Sequence, residues 1–394
     1  MEKNMRSPLR CHQWLQPVLG LALTLTLALG AFQARAQAPV PRPKPIESPV
    51  VHADRTVTFT LKAPGSQKVE LSAQFLKAPQ PMAADASGQW TVTVGPVEPN
   101  LYPYNFVVDG VGVADPANPD IFPNENFKAS LVDIPGDAPA IYSTQDVPHG
   151  EVTHCFYVSK TLNCTRPMMI YTPPGYRAGK DRYPVLYLVS GTTDTEETWF
   201  KAGRMNFILD NLIAQKKAVP MIVVMPYGNM NTGAPMPSSI LAAEMYRVFS
   251  NEMKDNIIPF VEKNFRVVPD RDHRAIAGFS RGGGQSLFTA FLHLDTFAWI
   301  GSYSAYLTPE VFNKYFAEWA THPEKVNQKI HLLWLGVGKS DFLYEPAITF
   351  MDYLKDKRIE RQTLITEGGH TWMNARHYLT ETLQKYFKPA VSAK

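Results

Sequence analysis

The residues best placed to do chemistry are a serine, an aspartate and a histidine, in that chain order, each just beyond a short apolar run. Gly278-Phe279-Ser280-Arg281-Gly282-Gly283 follows the run His273 to Ala277 and precedes a helix-like stretch from Gln285 to Leu294. A serine flanked by glycines at a strand-to-helix turn has the pattern of a nucleophile elbow. The turn strains the serine backbone, and a Cβ on either glycine would collide with the neighbouring strand or helix. His331 to Val337 reads as a buried strand, and the loop after it carries Asp341. Gln362 to Thr366 reads as a further strand, followed by Glu367-Gly368-Gly369-His370-Thr371-Trp372. His370 is the candidate base and Asp341 the candidate acid, with Glu345 one helical turn on as an alternative carboxylate.

This order implies attack on a carbonyl. A serine hydroxyl is a poor nucleophile at its free pKa, so His370 would take its proton during attack and return it to the leaving group, while Asp341 fixes the imidazole tautomer. The tetrahedral oxyanion needs two donors. One is the backbone N–H of Arg281. The other belongs to the loop after the strand Pro184 to Ser190, where the N–H of Thr192 is the candidate and Thr193 the adjacent alternative.

These residues must be held by a sheet covered on both faces. Runs at 184–190, 221–225, 273–277, 298–303, 331–337 and 362–366 read as apolar on both faces and alternate with helical stretches, the mark of a mostly parallel α/β sheet. The amphipathic run from Leu241 to Phe265 feeds into the nucleophile strand. Before residue 140 the pattern is different: short alternating strands from Thr56 to Ile134, separated by turns such as Asp109-Gly110, predict a small antiparallel immunoglobulin-like sandwich over residues 50–140. The hydrolase-like part is expected over 148–390. The connection Pro135 to Pro139 offers little slack, so the two parts should pack and the sandwich becomes a candidate wall of the active-site approach.

The amino terminus reads as a targeting segment, residues 1–36: Lys3, Arg6 and Arg10, an apolar stretch from Leu15 to Phe32, then Ala34-Arg35-Ala36 as a cleavage box. The expectation is export to the periplasm or beyond, with cleavage near Ala36 and no membrane anchor afterwards. A Pro-rich linker, 37–49, follows. The formal charge of +3 resides in the targeting segment, so the remainder is neutral and nothing argues for nucleic acid or an anionic membrane. Cys155 and Cys164 lie in two runs that read as a hairpin, and in an oxidising compartment a cross-strand disulfide between them is expected. No spaced His/Cys cluster suggests a metal, no nucleotide loop is present, and no cofactor is expected.

Beyond these local readings, Tyr171-Thr172-Pro173-Pro174-Gly175-Tyr176, the strand ending Ser190-Gly191, Met225-Pro226-Tyr227-Gly228-Asn229, the Ser280 elbow and Gly368-Gly369-His370-Thr371-Trp372 occur in the order seen in one esterase group. That group includes bacterial feruloyl and acetyl-xylan esterases, enterochelin esterases, S-formylglutathione hydrolases and mycolyltransferases. The chain resembles it over about residues 150–388, and the flanks of Ser280 and His370 look most like feruloyl esterases of xylan-degrading bacteria. The resemblance implies an α/β-hydrolase fold. Many members carry His-Gly where this chain has Ser190-Gly191, and Met where it has Arg281. Gly88-Gln89-Trp90 and Tyr102 to Gly110 resemble the early-set, glycogen-binding-like modules that precede such esterases.

The expected activity is that of a secreted serine carboxylesterase acting on hydroxycinnamoyl esters of plant polysaccharide, with an esterified oligosaccharide or small ester as its partner molecule. Trp372, Trp199, Tyr227, Phe342 and Tyr306 are candidates to line an aromatic acyl pocket. The alternatives are a siderophore or other small-ester hydrolase, an acyltransferase, and a non-catalytic glycan-binding protein that uses Trp90, Tyr102 and Tyr104. Oligomeric state is not legible.

Overall fold

The computed structural model describes residues 45–230 and 239–388. The targeting segment and most of the Pro-rich linker lie outside them. Two sheets form the amino-terminal sandwich: one pairs Val50–Val51, Val57–Lys62, Gln89–Val94 and Ala83–Ala84, and the other is built on Val69–Ala73, Asn100–Val108 and Ala129–Ile134. Strict alternation buries Val57, Phe59 and Leu61 between the sheets, as a period of two requires. Trp90, Tyr102 and Tyr104 join this core, the last two almost fully buried. The aromatic surface of Tyr102 and Tyr104 is committed to packing, while Trp90, half-buried, also lines a surface cavity with Pro64 and Asp85.

The strands Asn100–Val108 and Ala129–Ile134 are covered on both faces. Tyr102, Tyr104, Phe106, Val132 and Ile134 point into the sandwich, whereas Leu101, Ala129 and Leu131 join Trp199, Trp372 and Tyr378 in a core shared with the carboxyl-terminal part. Arg376, 3% exposed, spans the same boundary. It donates to the carbonyls of Ala202 (2.6 Å) and Leu101 (3.0 Å) and to Asn100 Oδ1, and its guanidinium lies over the Tyr142 ring.

The larger sheet has eight strands: β1 Glu151–Ser159, β2 Cys164–Thr172, β3 Val185–Val189, β4 Ile222–Pro226, β5 Arg274–Phe279, β6 Trp299–Tyr303, β7 Leu332–Gly338 and β8 Gln362–Thr366. Their order is β1-β2-β4-β3-β5-β6-β7-β8, with β1 and β2 antiparallel at one edge and the rest parallel. This is the α/β-hydrolase arrangement. Successive residues of each inner strand feed opposite cores: Val185, Tyr187 and Val189 to one face, Leu186 and Leu188 to the other. That is why these strands read as unbroken apolar runs.

The amphipathic run before β5 is a helix, Ser239–Glu252, a π turn, Met253–Ile257, and a second helix, Ile258–Asn264. Pro259 has no N–H to give, and its ring would press on the carbonyl four residues back, at Asp255. The wider turn accommodates both.

One expectation fails here. The hairpin closes on Ser159 opposite Cys164, which sets Cys155 opposite Met168. The two cysteines are thus four register steps apart, about 14 Å along the strand, beyond the roughly 7 Å Cα separation a disulfide can bridge. Both are free thiols. Among the described residues no helix is long and apolar enough to cross a membrane.

Candidate active site

Ser280 follows β5 with φ 57° and ψ −126° and is the N-cap of the helix Arg281–Leu292. This strained turn is possible because of its glycine neighbours. A Cβ on Gly278 would lie 2.4 Å from the Gly282 backbone, and one on Gly282 would lie 2.3 Å from the Val189 carbonyl oxygen. The Ser280 N–H is anchored on the Tyr303 carbonyl of β6 at 2.8 Å. The hydroxyl therefore sits where strand end and helix start meet.

Asp341 lies in the loop after β7, its side chain fully buried, and both carboxylate oxygens face His370 Nδ1, at 3.0 and 2.9 Å. Burial pushes the Asp341 carboxyl up, but hydrogen bonds from His370 and the Leu343 N–H, with the His370 charge, outweigh it and hold the group below its ordinary value. Glu345, the alternative carboxylate, is exposed in the first turn of the helix Tyr344–Asp356. His370 lies in the loop after β8, just before Thr371 caps the helix Trp372–Leu383 through the Asn374 N–H. Its ring stacks on Phe279 (centroids 4.6 Å apart, 28° between planes) and is flanked by Phe342 at 4.5 Å. With Nδ1 engaged by Asp341, Nε2 is left as the proton acceptor.

Two cavities meet at Ser280, Thr192 and Phe342. One, of about 260 Å³, is mainly apolar and includes Tyr246, Tyr306, Leu307 and Val311. The other, of about 480 Å³, lies over His370 and Trp372 and is walled by Phe122, Asn124 and Phe127 of the sandwich. Among the described residues the backbone N–H groups of Arg281 and Thr192 have no hydrogen-bond partner. Thr193 also lines the larger cavity, and its carbonyl accepts the Glu125 N–H.

The aromatic candidates divide. Phe342 and Tyr306 line the smaller cavity, and Phe342 and Trp372 the larger. Trp199 and Tyr227 line neither. Trp199 is fully buried edge-on against Trp372, with ring centroids 4.8 Å apart. Tyr227 is covered by the Arg166 guanidinium at 4.8 Å, and its carbonyl accepts from the same group. Both are packing residues. Sequence reading missed Tyr246, whose ring faces the site from an amphipathic helix, and Asn124 and Phe127, which come from a loop without periodicity. It also missed Asp194. This aspartate is 5% exposed and accepts from the Gly191 N–H (3.1 Å) and Asn124 Nδ2 (3.2 Å). Burial raises its carboxyl to about 7 against the opposing pull of those bonds and of Arg281.

A family model described as "Putative esterase" matches residues 159–386. The chain belongs to this esterase family. An endo-1,4-beta-xylanase/feruloyl esterase of Xylanibacter ruminicola is 28% identical over 87% of this chain and 46% of its own length. The chain spans about half the length of that relative, and 26% of an endo-1,4-beta-xylanase of Acetivibrio thermocellus that is 25% identical over 67% of the chain. Among solved structures, a ferulic acid esterase is 26% identical with a TM-score of 0.52, covering 60% of this chain and 97% of its own. The enterobactin esterase of Shigella flexneri, 17% identical, shares the fold at a TM-score of 0.60 over 84% of this chain and 93% of its own.

Proposed function

We propose that this esterase-family protein hydrolyses hydroxycinnamoyl esters, feruloyl above all, on plant polysaccharide through a Ser280-His370-Asp341 acyl-enzyme. The observation that carries the proposal is the pairing of His370 Nδ1 with Asp341 beside a serine in a strained elbow, where a smaller and a larger cavity meet. His370 takes the Ser280 proton as Oγ attacks the ester carbonyl, and the N–H groups of Arg281 and Thr192 receive the oxyanion. Collapse expels the alcohol, which His370 protonates. Water then enters by the same route and releases the acid. In this reading the smaller cavity with Tyr246 and Tyr306 takes the aromatic acyl group, and the larger cavity walled by the sandwich takes the sugar. The names of the similar feruloyl esterases support the acyl assignment.

Ferulate release from feruloylated oligosaccharide, set beside acetate release from acetylated xylan and cleavage of catecholate siderophore esters, is the test. Preference for ferulate is expected, and cleavage of siderophore esters alone would end the polysaccharide reading. Export belongs to the same proposal, supported by the basic, apolar and small-residue order of residues 1–36. Amino-terminal sequencing of the mature protein should begin near Gln37.

A further inference from the structure

Arg281 opens the helix behind the nucleophile, where a cation is unfavourable against the helix dipole. Its side chain does not reach for solvent. It turns back across the elbow and donates from one Nη to the carbonyl oxygen of Gly191 at 2.9 Å, while its Nε is buried without a partner among the described residues. Gly191 lies against the nucleophile: a Cβ there would stand 3.3 Å from the Ser280 Cβ. The Gly191 carbonyl and the Thr192 N–H belong to one peptide unit, and in a trans peptide they point in opposite directions. A donor fixed on that carbonyl therefore sets the aim of that N–H. The preceding peptide is held as well, because the Gly191 N–H is bound by buried Asp194, itself tied to Asn124 of the sandwich.

We propose that the Arg281 guanidinium is a positioning residue for the oxyanion hole. By holding the Gly191 carbonyl, it directs the Thr192 N–H at the space above Ser280 where the tetrahedral oxygen forms. The inference rests on the esterase reading and extends it. Arg281 acts twice, through its own backbone N–H and through the peptide its side chain orients. The cation also draws electron density from the carbonyl, which strengthens the N–H at the other end as a donor. When ionised, buried Asp194 offsets part of the guanidinium charge.

The test compares wild type with Arg281→Met, which carries the residue many members of the group have here, and with Arg281→Lys, which keeps a charge and a donor. Two reactions are read. One is p-nitrophenyl acetate hydrolysis. The other is phosphonylation by a fluorophosphonate, in which Ser280 Oγ bonds to phosphorus, fluoride leaves and the serine proton passes to His370. Both build negative charge on an oxygen over the same N–H groups. For Arg281→Met, kcat and the phosphonylation rate should fall together by about 10- to 100-fold, less than or near the loss of a whole oxyanion donor. KM should stay within about threefold, and Arg281→Lys should recover part of the loss. Equal phosphonylation rates in wild type and Arg281→Met would overturn the inference. So would a loss confined to KM for carboxylate-bearing esters, which would make Arg281 a substrate anchor. A wild type that is phosphonylated but cleaves no feruloyl ester would end the substrate reading instead and leave the two-reaction comparison decisive.

Discussion

The two walls of the site are built on different physical terms. On the hydrolase side, Ser280, Asp341 and His370 each sit within a few residues of a strand end in one sheet, so backbone register fixes their separation. On the sandwich side, Phe122, Asn124 and Phe127 come from a loop whose place depends on packing between two parts of the chain: the shared core and the Arg376 bonds. In the proposed function the first wall is where bonds change, and the second shapes what can approach. Damage to the first should remove turnover and leave folding nearly intact. Damage to the second should alter stability and the preference for large substrates.

The largest effect separates the two cleanly. Ser280→Ala should lower kcat by a factor of about 10⁵ to 10⁶ without a lower melting temperature, since Ala keeps the turn and drops only the hydroxyl. His370→Ala should cost nearly as much, and the double variant little more, because triad members act as a unit. Additive losses in p-nitrophenyl acetate kinetics would show that the two do not share a step.

Next in size is Asp341→Asn, expected to cost about 10⁴ in kcat by favouring the wrong imidazole tautomer. Exposed Glu345→Gln should change kcat less than about threefold. The reverse ranking would move the acid to Glu345.

At the seam between the walls, Asp194 predicts a dependence on pH. Its carboxyl is raised from 3.8 to about 7 in the fold, so between those values the folded protein holds a proton that the unfolded chain has released. Stability contributed at this site is therefore greatest below about pH 4 and falls as pH rises towards about 7, by on the order of 3 to 4 kcal/mol. Urea unfolding of wild type and Asp194→Asn from pH 4.5 to 7.5 should show the wild type losing ground to the variant. A constant difference would refute the raised pKa. Arg376→Ala should destabilise by about 2 to 4 kcal/mol, since it leaves the Leu101 and Ala202 carbonyls buried without a donor. Loss of activity on large substrates should precede global unfolding in the same titration.

The difference between the walls also explains what the sequence made legible. The elbow and the loops that bring Asp341 and His370 together could be located because each lies just beyond a strand end, and an apolar run reports a strand even when its partners are unknown. Trp199 and Tyr227 were misassigned because nearness in sequence to a site residue does not say which face a ring takes, and Trp199 turns into the core shared with the sandwich. The Cys155 and Cys164 pairing failed because the hairpin closes at Ser159 and Cys164, a register set by a turn that carried no strong signal. Asn124 and Asp194 were invisible for a related reason. Their contact joins residues 70 positions apart, in loops where no period constrains the partner.

The smallest expected effect is the most informative about the second wall. Phe127 is 47% exposed yet stacks on Phe122, with centroids 5.2 Å apart and 20° between planes, and Phe122 in turn meets Trp372. Its loop is shaped by Asn124, whose Oδ1 accepts the N–H groups of Asn126 and Phe127. A half-exposed ring contributes little to folding, so Phe127→Ala should cost under about 1 kcal/mol. Its face nevertheless borders the larger cavity, where a sugar ring can lie against it. Such a contact is worth about 0.5 to 1.5 kcal/mol, so KM for feruloylated oligosaccharide should rise about three- to tenfold while p-nitrophenyl acetate kinetics stay unchanged. An equal change for both substrates would mean that the loop supports the catalytic wall itself. No change for either would remove the sandwich from substrate contact and leave it only the tie through Asn124 to the oxyanion loop.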